Sequence, residues 1–214
     1  MTVKEALSAR RSVRAYKPDR IDAAVLAEIL GAAERAPSWA NTQPWQVFVA
    51  QGETLGRIRA AYLENYRDKV PGHPEVERPA QWTEETKRRQ KALRPGMARD
   101  CGEAADQFAE LNNRLFDAPA VIYVCVEKAL SHWSLFDLGS YCQSIMLLAP
   151  AYGLATIPAI TTVNFPDVLH RELDIPDTLS VAIGVAIGYA DTGNAINNFR
   201  SEREDINSVV KYLE

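Results

Sequence analysis

The chain has 214 residues, 47% apolar and 24% charged, enough apolar material for one domain with a real core and far from a disordered composition. Its formal net charge of −4 argues against nucleic acid as the main partner, because phosphate backbones reward a broad basic face. Cys101, Cys125 and Cys142 are widely spaced and odd in number, which supports neither a zinc knuckle nor a disulfide framework and fits a reducing cytoplasm.

Thr2-Val3-Lys4-Glu5 has the spacing of a capping box and predicts a short opening helix with no apolar signal core. An arginine cluster follows, Arg10-Arg11-Ser12-Val13-Arg14. Asp22 predicts the cap of a second helix with Val25, Leu26, Ile29, Leu30 and Ala33 on one face, stopped by Pro37. The loop 37–45 leads into a strand at 46–50, and a helix is expected over 53–66. The stretch 67–99, proline-rich and then charged, reads as a lid or surface excursion with little core-forming surface; Lys87 to Lys91 is expected to be a solvated helix face beside Glu84 and Glu85. A helix is expected over 102–115. Ala120 to Val126 is nearly continuous in apolar residues, as suits a strand buried on both faces. A long helix over 134–149 should end or kink at Pro150. A short helix over 165–173, a buried strand over 179–186 and a polar tail complete the chain. Leu138 to Pro166 carries no charge, yet Pro150, Gly153, Pro158 and Gln143 make it unfit to span a membrane. Interleaved helices and strands make one layered α+β domain over 1–214 the natural architecture.

His73, His132 and His170 share no metal-ligand spacing, and HExxH, G-x-S-x-G, Walker and G-x-G-x-x-G patterns do not occur. A hydrolase with its own nucleophile or metal is therefore poorly supported, as is a nucleotide held on a glycine-rich loop. Arginine stands out instead. Arg10, Arg11 and Arg14 with Ser12 offer forked donors and a hydroxyl to a phosphomonoester, although such a run also suits a solvated turn with salt bridges. Ser38, Asn41 and Gln43 lie between Pro37 and Pro44. Their amides suit the polar edge of a flavin ring or a substrate carbonyl, or else satisfy the loop itself.

The stretches Arg10-Arg11-Ser12-Val13-Arg14-Ala15-Tyr16 and Ala36-Pro37-Ser38-Trp39-Ala40-Asn41-Thr42-Gln43-Pro44-Trp45 together resemble the paired N-terminal motif of the nitroreductase family. Tyr152 to Pro158 resembles that family's internal glycine-leucine turn. Ala186 to Asp191, followed by Asn198-Phe199-Arg200 and Arg203, resembles its C-terminal end. The pieces occur in the expected order and leave out roughly 67–115.

The resemblance implies a three-layer α-β-α fold with a mixed central sheet, in a domain-swapped homodimer sharing two FMN sites. It assigns Arg10, Arg11, Ser12 and Arg14 to the FMN phosphate, ribityl chain and pyrimidine edge. Ser38, Asn41 and Gln43 would reach the flavin of the partner subunit. Pro158, Ala159 and Ile160 would present backbone groups to the ring, and Arg203 and Arg200 would close on the phosphate. The implied activity is ping-pong transfer of electron pairs from NADH or NADPH to nitroaromatics, quinones or related small electrophiles, with no side-chain catalyst and no metal. A flavin or enone reductase, a dehalogenase-like relative and a non-catalytic flavin-binding protein are the alternatives. The sequence departs from the family pattern at Pro150, at Ile157 where cysteine is common, and at Ile160 and Thr161. The 67–115 region, with Trp82, is the expected substrate lid.

Overall fold

The computed structural model describes residues 1–213, and its layers follow from one strand. In β2 (Ala120–Glu127), Ala120, Ile122, Val124 and Val126 point to one side and Val121, Tyr123 and Cys125 to the other. All are buried, and a strand apolar on both faces must be covered on both. β1 (Trp45–Gln51) and β4 (Leu179–Gly188) flank β2, and β3 (Ala155–Ala159) lies outside β4, giving the order β1-β2-β4-β3. Every strand pair is antiparallel. The mixed character expected of the sheet is thus confined to one parallel bridge, Ser12 to Thr156. An extended arm laid beside β3 supplies it, rather than a crossover helix between neighbouring strands.

One face is covered by α2 (Ala23–Ala33) and α6 (His132–Leu148), through Leu26, Ile29 and Ala33 and through Leu138, Tyr141 and Ile145. Trp45 stacks on Tyr141 with ring centroids 4.8 Å apart. The other face is covered by α3 (Gly52–Arg67), by α7 (Pro166–Leu173), by α5 (Phe108–Asn113) and by the C-terminal end of α4 (Glu84–Cys101), which contributes Met97 and Cys101. α1 (Val3–Ala9) opens on the expected capping box: the Thr2 hydroxyl accepts from Glu5 N–H and the Glu5 carboxylate from Thr2 N–H at 2.7 Å. α6 stops at Leu148, and Pro150 sits in the single 3-10 turn that leads to Gly153 at φ 71°.

The helix expected over 102–115 is broken. Gly102 takes φ 56°, Gly102–Gln107 is a 3-10 turn, and only α5 is α-helical before Leu115, Phe116 and Asp117 turn left-handed. Gly102 breaks the helix with its left-handed φ, and the 3-10 turn after it lays Ala104 and Ala105 against the core. Upstream, the extended segment 68–83 is strapped to the body: His73 N–H donates to Asn164 O at 2.8 Å and Arg78 to Asn164 Oδ1 at 2.7 Å. Glu75 accepts from Val181 N–H at 2.7 Å and lies 3.2 Å from both His170 Nε2 and Lys128 Nζ. All three cysteines are free and buried, and burial pushes the thiols of Cys125 and Cys142 up to about 12. Among the described residues no helix is long and apolar enough to cross a membrane.

Candidate functional site

The arm 10–17 alternates. Val13 and Ala15 turn inward and are buried, while Ser12 and Arg14 turn outward, the period of a strand. It lies along the sheet because Val13 N–H donates to Thr156 O at 3.1 Å and Lys17 N–H to Tyr189 O at 2.9 Å. Asn197, from the tail, locks it from the far side. Its Oδ1 accepts from Arg14 N–H at 2.7 Å and Ala15 N–H at 3.2 Å, and its Nδ2 donates to Ala15 O and Asp191 O. Arg10, Arg11, Ser12 and Arg14 are therefore held at the outer edge of β3.

Among the described residues no carboxylate pairs with the guanidinium groups of this edge. Burial pushes the Arg11 pKa down and the nearby Arg200 lowers it further, so the two ends of the chain bring like charges together. The Arg14 pKa is also pushed down by burial. Its Nη1 donates to its own Ser12 O at 3.0 Å, and the Nε atoms of Arg11 and Arg14 are buried without an acceptor. Arg10 and Arg11 line a small cavity of about 90 Å³ with Thr156, Leu154 and Ala190. Arg203 is not with them. Its Nη1 donates to Ser201 O, Ser201 Oγ and Glu202 O, and it lines a larger groove of about 690 Å³ between α4 and the tail, together with Arg200, Arg99 and Phe199.

The amide loop occupies a different place. Ser38 Oγ accepts from Gln43 N–H at 3.0 Å, Gln43 Nε2 donates to Asn41 O at 3.3 Å, and Trp39 N–H donates to Asp137 of α6 at 3.1 Å. Ala40, Asn41 and Gln43 all adopt positive φ, a strained loop fixed by these bonds. No hydrogen bond or ion pair joins it to the arginine arm among the described residues. It opens instead on a hollow of about 450 Å³ beside Trp133 and Phe136. Pro158 and Ala159 end β3 opposite Val185 and Gly184, next to the arm's bridge at Thr156, and Ile160 is exposed beyond them.

Some positions escape a reading of the sequence. Asn197 sits in a polar tail where nothing marks it out. The Arg14 guanidinium carbon lies over the rings of Phe108 and Phe199, 5.7 and 5.4 Å from their centroids. Asn112 accepts from the Thr161 hydroxyl at 3.1 Å, which ties α5 to the turn after Ile160.

A model of the Nitroreductase family matches residues 7–189. The chain is 30% identical over 206 residues to a 4-nitrobenzoate reductase of Pseudomonas putida, covering 92% of this chain and 89% of that protein. It is 29% identical over 213 residues to a chloronitrobenzene nitroreductase of Comamonas testosteroni, covering 95% and 93%. Among solved structures, an FMN- and NADPH-dependent nitroreductase NfnB of Sphigopyxis sp. strain HMH superposes with a TM-score of 0.90 at 29% identity, over the full length of both chains.

Proposed function

The chain belongs to the nitroreductase family, and from that premise we propose that it is an FMN-dependent oxidoreductase, working as a homodimer, that passes electron pairs from NADH or NADPH to nitroaromatics, quinones or related small electrophiles. The observation that carries this reading is the un-neutralised arginine edge beside β3. Arg11 and Arg14 are partly or largely withdrawn from water without a carboxylate to balance them among the described residues, and the exposed Arg200 adds its charge beside Arg11. A phosphate dianion supplies that missing charge and accepts their forked hydrogen bonds, so the residues present fit FMN.

Arg10, Arg11, Ser12 and Arg14 would hold the phosphate, the ribityl chain and the pyrimidine edge. Arg200 lies beside Arg11. For Arg203, reaching the phosphate means exchanging exposed bonds to its own tail for charge-assisted ones. Pro158, Ala159 and Ile160 would present backbone groups to the ring. When bound, FMN supplies the two-electron chemistry that no side chain here provides; the protein's part is to bind, to orient and to keep water out. With FMN held there, Arg14 would supply positive charge to stabilise the negative charge that develops on reduction. Donor and acceptor use one binding space in turn, which gives ping-pong kinetics. The half-exposed Trp82 and the solvated N-terminal part of α4 form the segment we assign as the substrate lid.

The homodimer rests on the aromatic hollow. Trp39, Trp133 and Phe136 are 70%, 66% and 69% exposed and lie together at the mouth of the amide loop. A clustered apolar face of this kind marks an interaction surface. Docked on a second copy, it would carry Ser38, Asn41 and Gln43 to the partner's cofactor.

Anaerobic titration tests the function. The purified protein is expected to be yellow, to bleach with NADH or NADPH, and to regain colour on adding a nitroaromatic or a quinone. A yellow protein that neither nicotinamide bleaches would instead be a flavin-binding module.

A further inference from the structure

Arg14 presents a physical problem. Its guanidinium is largely withdrawn from water, its only side-chain hydrogen bond goes to the Ser12 carbonyl, and no acidic side chain pairs with it among the described residues. An isolated buried cation should swing out to solvent. It stays because it lies over two aromatic rings: the Phe108 centroid is 5.7 Å from the guanidinium carbon and the Phe199 centroid 5.4 Å, within the range where a ring's negative face attracts a cation.

Both rings are themselves held. Phe199 is 5% exposed and follows Asn197, which is bonded to the arm on both sides. α4 backs it at Gly96, where an added Cβ would come within 3.2 Å of the Phe199 ring. Phe108 opens α5, whose far end is fixed by Asn112 to Thr161 and by Arg59 Nε donating to Arg114 O at 2.9 Å.

We propose that Phe108 and Phe199 are positioning residues for the cofactor site: their rings clamp the Arg14 guanidinium, a charge without a counterion, so that it is pre-aimed at a bound anion. α5 thereby becomes a brace between the arginine arm and the turn after Ile160, fixed in place although it falls inside the 67–115 region. This rests on the reading that Arg14 serves FMN.

The test measures FMN affinity of the apoprotein by quenching of flavin fluorescence, so turnover plays no part. Phe108 is 39% exposed, and its replacement should leave the fold intact, which urea unfolding of each variant checks. Phe108→Leu keeps the apolar bulk and removes the ring face; about fivefold weaker FMN binding is expected, the equivalent of one cation–π contact. Phe108→Tyr should restore affinity to within about twofold of the parent. In an Arg14→Met background, Phe108→Leu should change affinity no further. The same loss with and without Arg14, or no recovery with tyrosine, overturns the clamp. If the parent protein takes up no FMN at all, the functional reading falls and the clamp's purpose falls with it, a result distinct from either.

Discussion

Glu75 shows how single side chains fasten the region that the sequence marks as foreign to the core. Burial alone would raise its carboxyl, but donation from Val181 N–H, His170 and Lys128 outweighs that and holds it below the ordinary carboxylate value. A depressed folded-state pKa adds stability above the unfolded value and loses it as pH falls through the folded one. Glu75→Gln is therefore expected to cost about 1 kcal/mol near pH 7, with the gap to the parent closing below about pH 4 in urea melts. A gap that persists in acid would mean that the carboxylate charge is not the fastener. Arg14 offers a second outcome at this scale. Arg14→Met should slow nicotinamide-driven flavin reduction by about tenfold or more and weaken FMN retention by less, measured by stopped-flow and by fluorescence quenching; equal losses would deny it a role in the chemistry. The arginine arm stands out in the sequence because Arg10, Arg11 and Arg14 fall within five residues beside Ser12. Asn197 and Phe108 do not, since their meaning comes from contacts with residue 14 across 183 and 94 positions.

The elements divide in the same way. Thr2 and Asp22 caps are local chemistry and can be read directly; Ala120 to Val126 announces a buried strand by composition alone. Strand order and direction depend on pairing between distant segments, so the antiparallel β1-β2-β4-β3 sheet could not be derived from periodicity. Helix α4 runs through Pro95 because tertiary packing at Met97 and Cys101 outweighs the local penalty. β4 carries one sharply constrained position. Gly184 lies opposite Ala159, and a Cβ there would stand 2.8 Å from Thr162 Cβ and 3.1 Å from Tyr123. Gly184→Ala should destabilise the fold by about 1–3 kcal/mol, seen as a lower urea midpoint. Where the variant folds it should also weaken FMN binding, because the displaced turn follows Pro158 to Ile160. An unchanged midpoint would mean that the turn yields freely.

For the molecule as a whole, the sheet puts the arginine edge and the aromatic hollow in separate places, which a single copy does not join. Trp133→Glu should give a monomer by light scattering while secondary structure persists, and that monomer should retain FMN poorly; a dimer that survives the change would place the interface elsewhere. The layered α+β architecture was legible from interleaved periodicities, whereas the separation of the loop from the arm came only as an implication of the family resemblance, because it is set by how α6 crosses the sheet. The sealed cysteines carry a consequence for endurance. Quinones, among the proposed acceptors, add to thiolates, and nitroso compounds, the two-electron products of nitro reduction, condense with them. A chain whose thiols are buried, with Cys125 and Cys142 held near 12 and Cys101 also raised, offers them no ready thiolate at neutral pH. On the proposed function, such electrophiles would pass through the site without modifying its thiols, and a maleimide should label the chain only once urea has opened the core.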